Sequence, residues 1–226
     1  PDDWARRFGE RANMGAMSSK ESTVAKRSLQ ALGVASAIGA GVLAYSLAEA
    51  KSYRLRGVQV PVLEPGSEPL QVLHLSDLHM TPRQAGKAEW IQHLADLQPD
   101  LVVATGDFMA HPDAVYPVTA ALGPLLDIPG FFVFGSNDYY APKIGNPFTY
   151  LVGPTNYDRG EPDLPWPELS SALSSGGWID LSNRRDHIKV DGRLIDVRGV
   201  DDPHIGRDQY EPIAGPFDPT ADLALG

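Results

Sequence analysis

The sequence predicts an α/β fold built on a largely parallel sheet and preceded by an apolar helix. Three observations predict it. From Leu70 onward, short apolar strand signals alternate with helical periodicity, the pattern of a sheet whose crossovers are helices. Each of the first three strand signals ends in a polar cluster, at the sheet edge where ligands of such folds bind. Residues 28–48 carry no charged side chain, over a length that suits a bilayer-crossing helix.

Residues 1–27 read as a polar tail. The segment that follows, 28–50, is rich in Ala, Leu, Val and Gly and reads as a membrane anchor or an export signal, with Ala48-Glu49-Ala50 as a small-residue cleavage site. It has no polar face with which to cover the surface of a soluble core. Lys26 and Arg27 precede it, which favours an inside amino terminus and an extracytoplasmic main domain. A linker, 51–69, contains Lys51, Arg54 and Arg56 and then Pro61-Val62-Leu63-Glu64-Pro65-Gly66.

The globular part is expected over 70–226. Leu70–Leu75 is a buried strand with His74 as a hydrogen-bonded core residue. Thr81 is placed to cap a helix with Pro82 at its first position, Trp90, Leu94 and Leu97 on one face, and Pro99 at its end. Leu101–Ala104 is the second strand, Asp113 caps a helix carrying Val115, Val118, Leu122 and Leu125, and Phe131–Phe134 is the third strand. Residues 141–167, rich in Pro, Gly and Asn, read as an excursion of the kind that borders an active site. A helix near Glu168–Leu173 then precedes strands at Ile179–Leu181, His187–Val190 and Leu194–Val197. His93 reads as solvated and His187 as an ordinary strand residue.

Composition excludes several function classes. The 226-residue chain has no cysteine, so thiol nucleophiles, disulfides and zinc ribbons are ruled out. Residues 1–56 hold nine Lys/Arg against five Asp/Glu, and residues 57–226 ten against twenty-four. So acidic a domain offers no groove for duplex nucleic acid, and an anionic substrate would need metal ions to supply local positive charge. There is no G-x-S-x-G elbow, no phosphate-binding G-x-x-x-x-G-K-[ST] loop and no D-x-D.

The three polar clusters are Asp77-Leu78-His79, Gly106-Asp107 and Gly135-Ser136-Asn137-Asp138. On adjacent strand ends they converge on one crevice. Carboxylate, imidazole and amide groups together suit Mn, Fe, Zn or a similar divalent ion.

In this order and context the clusters resemble the calcineurin-like metallophosphoesterase superfamily, whose signature runs D-x-H, G-D, G-N-H-D and then G-H-x-H. The likeness extends from Gln71 to the end of the sequence and is strongest to the bacterial membrane-associated or exported branch. It implies a layered α/β/β/α sandwich and hydrolysis of a phosphomonoester or phosphodiester by water that two divalent metal ions activate. It also implies that Asp77 and His79 bind one ion, that Asp107 bridges both, and that Asn137 is an amide ligand of the second. The membrane segment makes a lipid-linked phosphoester the expected substrate class. The other reading is a membrane-tethered binding protein or pseudoenzyme of the same fold.

The chain departs from the family pattern in several places. Aligned without a gap, Ser136 falls at the family's amide position and Asn137 at its histidine position. The histidine that assists the leaving group is therefore absent, with Asp138, Tyr139 and His111 as candidate substitutes. Phe108-Met109-Ala110-His111 stands where an acidic residue often follows G-D, so His111 is also a candidate for phosphate contact. Tyr139 either packs beneath the site or lines it. Val200-Asp201-Asp202-Pro203-His204 reads either as a proline turn or as a wall of the crevice with His204 touching substrate. The G-H-x-H histidines are expected beyond Gly226.

Overall fold

The structure is a computed structural model that describes residues 27, 29–30, 32–142 and 160–226. The predicted tail, apart from Arg27, and most of the 141–167 excursion lie outside the described residues. The chain divides after Gly57 into two compact units. In the first, helix α1 includes Leu32–Glu49, which is long and apolar enough to cross a membrane and is buried nowhere along that length.

The second unit is built on a sheet of four parallel strands in the order β1 (Val72–Ser76), β2 (Leu101–Thr105), β3 (Gly130–Val133), β4 (Ile179–Asp180). The crossovers carry α2 (Ala85–Gln92), α3 (Val115–Leu126) and α5 (Trp166–Ser175), and a single turn, α4 (Ser136–Tyr139), leaves the end of β3. A second sheet pairs β5 (Arg184–Val190) antiparallel to β6 (Arg193–Gly199), with β7 (Leu223–Leu225) parallel to β6.

Strand alternation divides the core in two. Leu73, Leu75, Val102, Ala104, Phe132 and Phe134 pack against Ile91, Leu94, Val118, Leu122, Leu125, Leu169 and Leu173 of the helical layer. The intervening residues Leu101, Val103, Phe131 and Val133 meet Ile188, Val190, Ile195 and Val197 of the second sheet. Helices, parallel sheet and second sheet thus form three layers, the mixed α/β architecture expected. The outer face of β6 carries Arg198, whose guanidinium donates to the carbonyls of Ile213, Gly215 and Pro216 and so fastens the segment around the 3-10 turn Glu211–Ile213 over that sheet.

Local expectations were corrected in three places. Thr81 does not cap α2. The helix begins at Ala85, and the Gln84 side chain instead accepts from the Thr81 N–H at 2.9 Å. Asp113 does not cap α3. The His111 ring accepts the Asp113 N–H and starts the 3-10 turn Pro112–Ala114 that leads into that helix. His74 is hydrogen-bonded, to the Thr105 hydroxyl at 2.7 Å, but it is exposed rather than in the core. The second sheet does not cover β1, so Val72, His74 and Ser76 line an open face.

The closed and open faces respond differently to substitution. Phe132→Ala, in the fully buried layer, is expected to destabilise by about 3–5 kcal/mol. Val72→Thr on the open face is expected to stay within about 0.5 kcal/mol. Urea unfolding of the two variants checks both; equal losses would contradict this division of the faces.

Candidate metal centre

The first ligand candidates arise where the backbone must turn sharply at the ends of β1 and β2. Asp77, His79 and Asp107 all have positive φ, at 55°, 40° and 56°, the left-handed region that Asp, Asn and His tolerate best among residues with a Cβ. Strain of this kind persists only where the surroundings fix it. Here the two loops are laced together: Asp77 N–H donates to the Gly106 carbonyl at 3.2 Å, His79 to Asp107 at 2.8 Å and Met80 to Phe108 at 2.8 Å. Met80 and Met109 close the ladder as a parallel bridge and are fully buried. The half-buried Lys87 ammonium, its pKa lowered by desolvation, donates to the Leu78 carbonyl between the two ligand residues.

Glycine brings the third cluster against the second. Gly106 has φ +66, and a Cβ there would lie 2.7 Å from the Gly135 nitrogen; a Cβ on Gly135 would lie 2.3 Å from Asp107 Oδ1. Only bare backbone fits at this crossing.

The Asp138 carboxylate completes the junction. It is fully buried and accepts the N–H groups of Asp107 at 2.8 Å, Phe108 at 2.7 Å, Met109 at 3.1 Å and Gly135 at 3.0 Å. Burial pushes its pKa up to about 7, against the pull of those N–H donors toward the ionised form. Asp138 therefore has no oxygen left for a leaving group, and the expectation of a catalytic role gives way to a positioning one.

The structure brings Asp77, His79 and Asp107 together, with one ligand atom from each within 4.8 Å of the others. His79 Nε2 lies 3.8 Å from Asp77 Oδ1 and 3.6 Å from Asp107 Oδ2. Asn137 also meets Asp107, donating from its backbone to Oδ1 at 2.9 Å and from its side chain to Oδ2 at 2.8 Å. It is thus the Asn137 amide that meets Asp107, while the Ser136 N–H donates to Asp202 Oδ2 at 2.7 Å.

An open cleft of ≈ 410 Å³ is lined by Asp77, Thr105, Asp107, Gly135, Ser136, Asp202 and His204. The other expected contacts lie elsewhere. Tyr139 is buried beneath the site, its hydroxyl donating to Asp201 Oδ2 at 2.7 Å, and burial together with Asp201 pushes its pKa well above the usual phenol range. His111 caps its turn and is not among the cleft-lining residues.

Within the segment Val200–His204, read from the sequence as a proline turn or a crevice wall, Asp202 was given no role of its own, yet it lines the cleft. Desolvation would raise its pKa, but the N–H groups of His204 and Ser136 and the His204 ring hold it below the usual carboxylate range. The available signal was its spacing, since Asp202-Pro203-His204 repeats the D-x-H pattern of Asp77-Leu78-His79 just after a strand.

Asp138→Asn tests the positioning role. An amide offers one acceptor oxygen to four N–H groups, so at least one buried donor loses its partner, at about 1–3 kcal/mol each. Thermal melting of the metal-free protein is expected to register the loss. Unchanged stability would contradict the role.

Residues 70–215 match the calcineurin-like phosphoesterase family. Over 143 residues the chain is 26% identical to the uncharacterised metallophosphoesterase YkoQ of Bacillus subtilis (strain 168), covering 61% of this chain and 45% of that protein. It therefore spans less than half of that relative's length. Among solved structures it is similar to the phosphopantetheinyl hydrolase PptH from Mycobacterium tuberculosis, at 14% identity and a TM-score of 0.34, covering 57% of this chain and 41% of that one. It is also similar to AQ665 from Aquifex aeolicus, at 12% identity and a TM-score of 0.25, covering 57% and 60%. With the match running through the parallel sheet, the D-x-H, G-D and G-S-N-D turns and the first strands of the second sheet, the chain belongs to the calcineurin-like phosphoesterase family.

Proposed function

We propose that this chain forms part of a phosphoesterase that hydrolyses a phosphomonoester or phosphodiester with two divalent metal ions at the carboxyl edge of its parallel sheet. The observation that carries the reading is the cluster of Asp77, His79 and Asp107, three oxygen and imidazole donors within 4.8 Å. Such a donor set suits Mn, Fe or Zn. Bound there, the ions would supply Lewis acidity and an activated water.

The protein's own residues divide the work. Asp77 and His79 would hold one ion. Asp107 Oδ2 meets both His79 Nε2, at 3.6 Å, and the Asn137 side-chain N–H, at 2.8 Å, and this shared position suits a bridging carboxylate, with Asn137 as the amide ligand of the second ion. The cleft lining includes three carboxylates, Asp77, Asp107 and Asp202, and neither Lys nor Arg among the described residues. An anionic ester is repelled from it unless cations are present.

The 18-residue span Leu32–Glu49 is about 27 Å long as a helix, close to the thickness of a bilayer's hydrocarbon core. In this reading it anchors the domain, and Lys26 and Arg27 before it orient the domain to the extracytoplasmic side. A phosphoester displayed at the membrane, such as a lipid-linked one, is then the substrate class.

Metal analysis and turnover of aryl phosphate mono- and diesters by the full-length protein test the chemistry. Asp107→Asn is expected to lower both metal content and turnover by more than the roughly 10–100-fold that follows loss of an outer hydrogen-bond partner. Equal metal and equal turnover in the variant would overturn the proposal. Membrane placement is tested separately: the protein is expected to resist alkaline extraction from membranes, and the domain to resist protease added to sealed inside-out vesicles. Digestion in those vesicles would overturn the orientation.

A further inference from the structure

In the proposed reaction one task still lacks a residue, the protonation of the leaving oxygen. Asn137 binds Asp107, Asp138 and Tyr139 are buried, and His111 is absent from the cleft lining. Among the described residues, His204 is the remaining titratable side chain on the cleft wall other than its carboxylates.

His204 has the geometry of an oriented imidazole. Its Nδ1 lies 2.9 Å from Asp202 Oδ1, and its backbone N–H donates to the same oxygen at 2.6 Å. The side chain is 85% exposed, and Nε2 has no hydrogen-bond partner among the described residues. Asp202 is fixed in turn by the Ser136 N–H at 2.7 Å. The dyad is therefore bolted to the same turn that presents Asn137 to Asp107.

The loop behind it is clamped as well. Asp201 receives the Tyr139 hydroxyl at 2.7 Å and Arg207 Nε at 3.3 Å, and its N–H donates to Asn183 Oδ1 at 3.0 Å. The Arg207 guanidinium stacks 3.9 Å above the Tyr139 ring. An imidazole whose Nδ1–H is held by a carboxylate presents Nε2 to a reacting group, the arrangement used by acid–base histidines generally.

We propose that His204, oriented by Asp202, is the proton donor to the leaving group, an inference that rests on the phosphoesterase reading above. As the oxygen of water bonds to phosphorus and the bond from phosphorus to the ester oxygen breaks, the Nε2 proton passes to the departing oxygen and releases the alcohol. The ring is left neutral, and the proton given up by water restores it. Asp202 is a positioning residue that keeps Nδ1 engaged.

The test compares esters of good and poor leaving groups, 4-nitrophenyl phosphate and an alkyl phosphate, in the metal-loaded full-length protein. A good leaving group needs no proton, so His204→Gln is expected to lower kcat for the alkyl ester by about 100-fold or more and for the nitrophenyl ester by less than about threefold. Asp202→Asn is expected to show the same selectivity at smaller size. Equal slowing of both esters, or of neither, overturns the proposal. Independently of turnover, inorganic phosphate is expected to shift the His204 ring nitrogen resonances in the metal-loaded protein; their constancy at saturating phosphate overturns it too. If the parent turns over only diesters, the same comparison is made with bis-4-nitrophenyl and dialkyl phosphate; turnover of neither monoesters nor diesters by the parent overturns the phosphoesterase reading, and this proposal with it.

Discussion

The Asp138 carboxylate is the constraint on which the centre depends. Two oxygens satisfy four main-chain donors, three in the loop after β2 and one at the end of β3. Those two loops would otherwise present unpaired N–H groups in a dry interior, each costly to leave unmade. With the carboxylate in place, the loops approach closely enough that Gly106 and Gly135 leave no room for a Cβ. The main-chain ladder from Asp77 to Met80 then fixes the β1 loop to the β2 loop. Asp77, His79 and Asp107 keep left-handed backbone angles because this ladder and the Asp138 carboxylate hold the loops on either side of them.

A second tier of bonds carries this order outward. Asn137 orients Asp107, the Ser136 N–H orients Asp202, and Asp202 orients His204. Beneath them Tyr139, Asp201 and Arg207 form a partly buried cluster joining the α4 turn to the loop after β6. The first sheet thus supplies the acidic and imidazole donors, and the loop after β6 of the second sheet adds Asp202 and His204 to the cleft lining.

Much of this was legible in the sequence because it follows from periodicity and position. Strands β1 to β6 were expected, since branched and aromatic runs such as Leu101–Ala104 and Phe131–Phe134 leave little alternative, and the convergence of Asp77, His79 and Asp107 followed from their places at strand ends. What was not legible depends on which groups side chains spend their hydrogen bonds on. Asp138 and Tyr139 look like site residues because they adjoin Asn137, but the α4 turn points both into the interior. Thr81 and Asp113 have the composition of helix caps, yet Gln84 and His111 occupy those turns. His74 alternates correctly with Leu73 and Leu75, and only the extent of the second sheet decides that its face stays open.

The central claim is that the β1 and β2 loops hold metal through Asp77, His79 and Asp107. Anomalous scattering from crystals of the full-length protein grown with Zn²⁺ tests it most directly. The account predicts a peak at about 2.0–2.2 Å from side-chain donors of all three residues. A protein that takes up the ion elsewhere, leaving these three side chains without a peak, would contradict it.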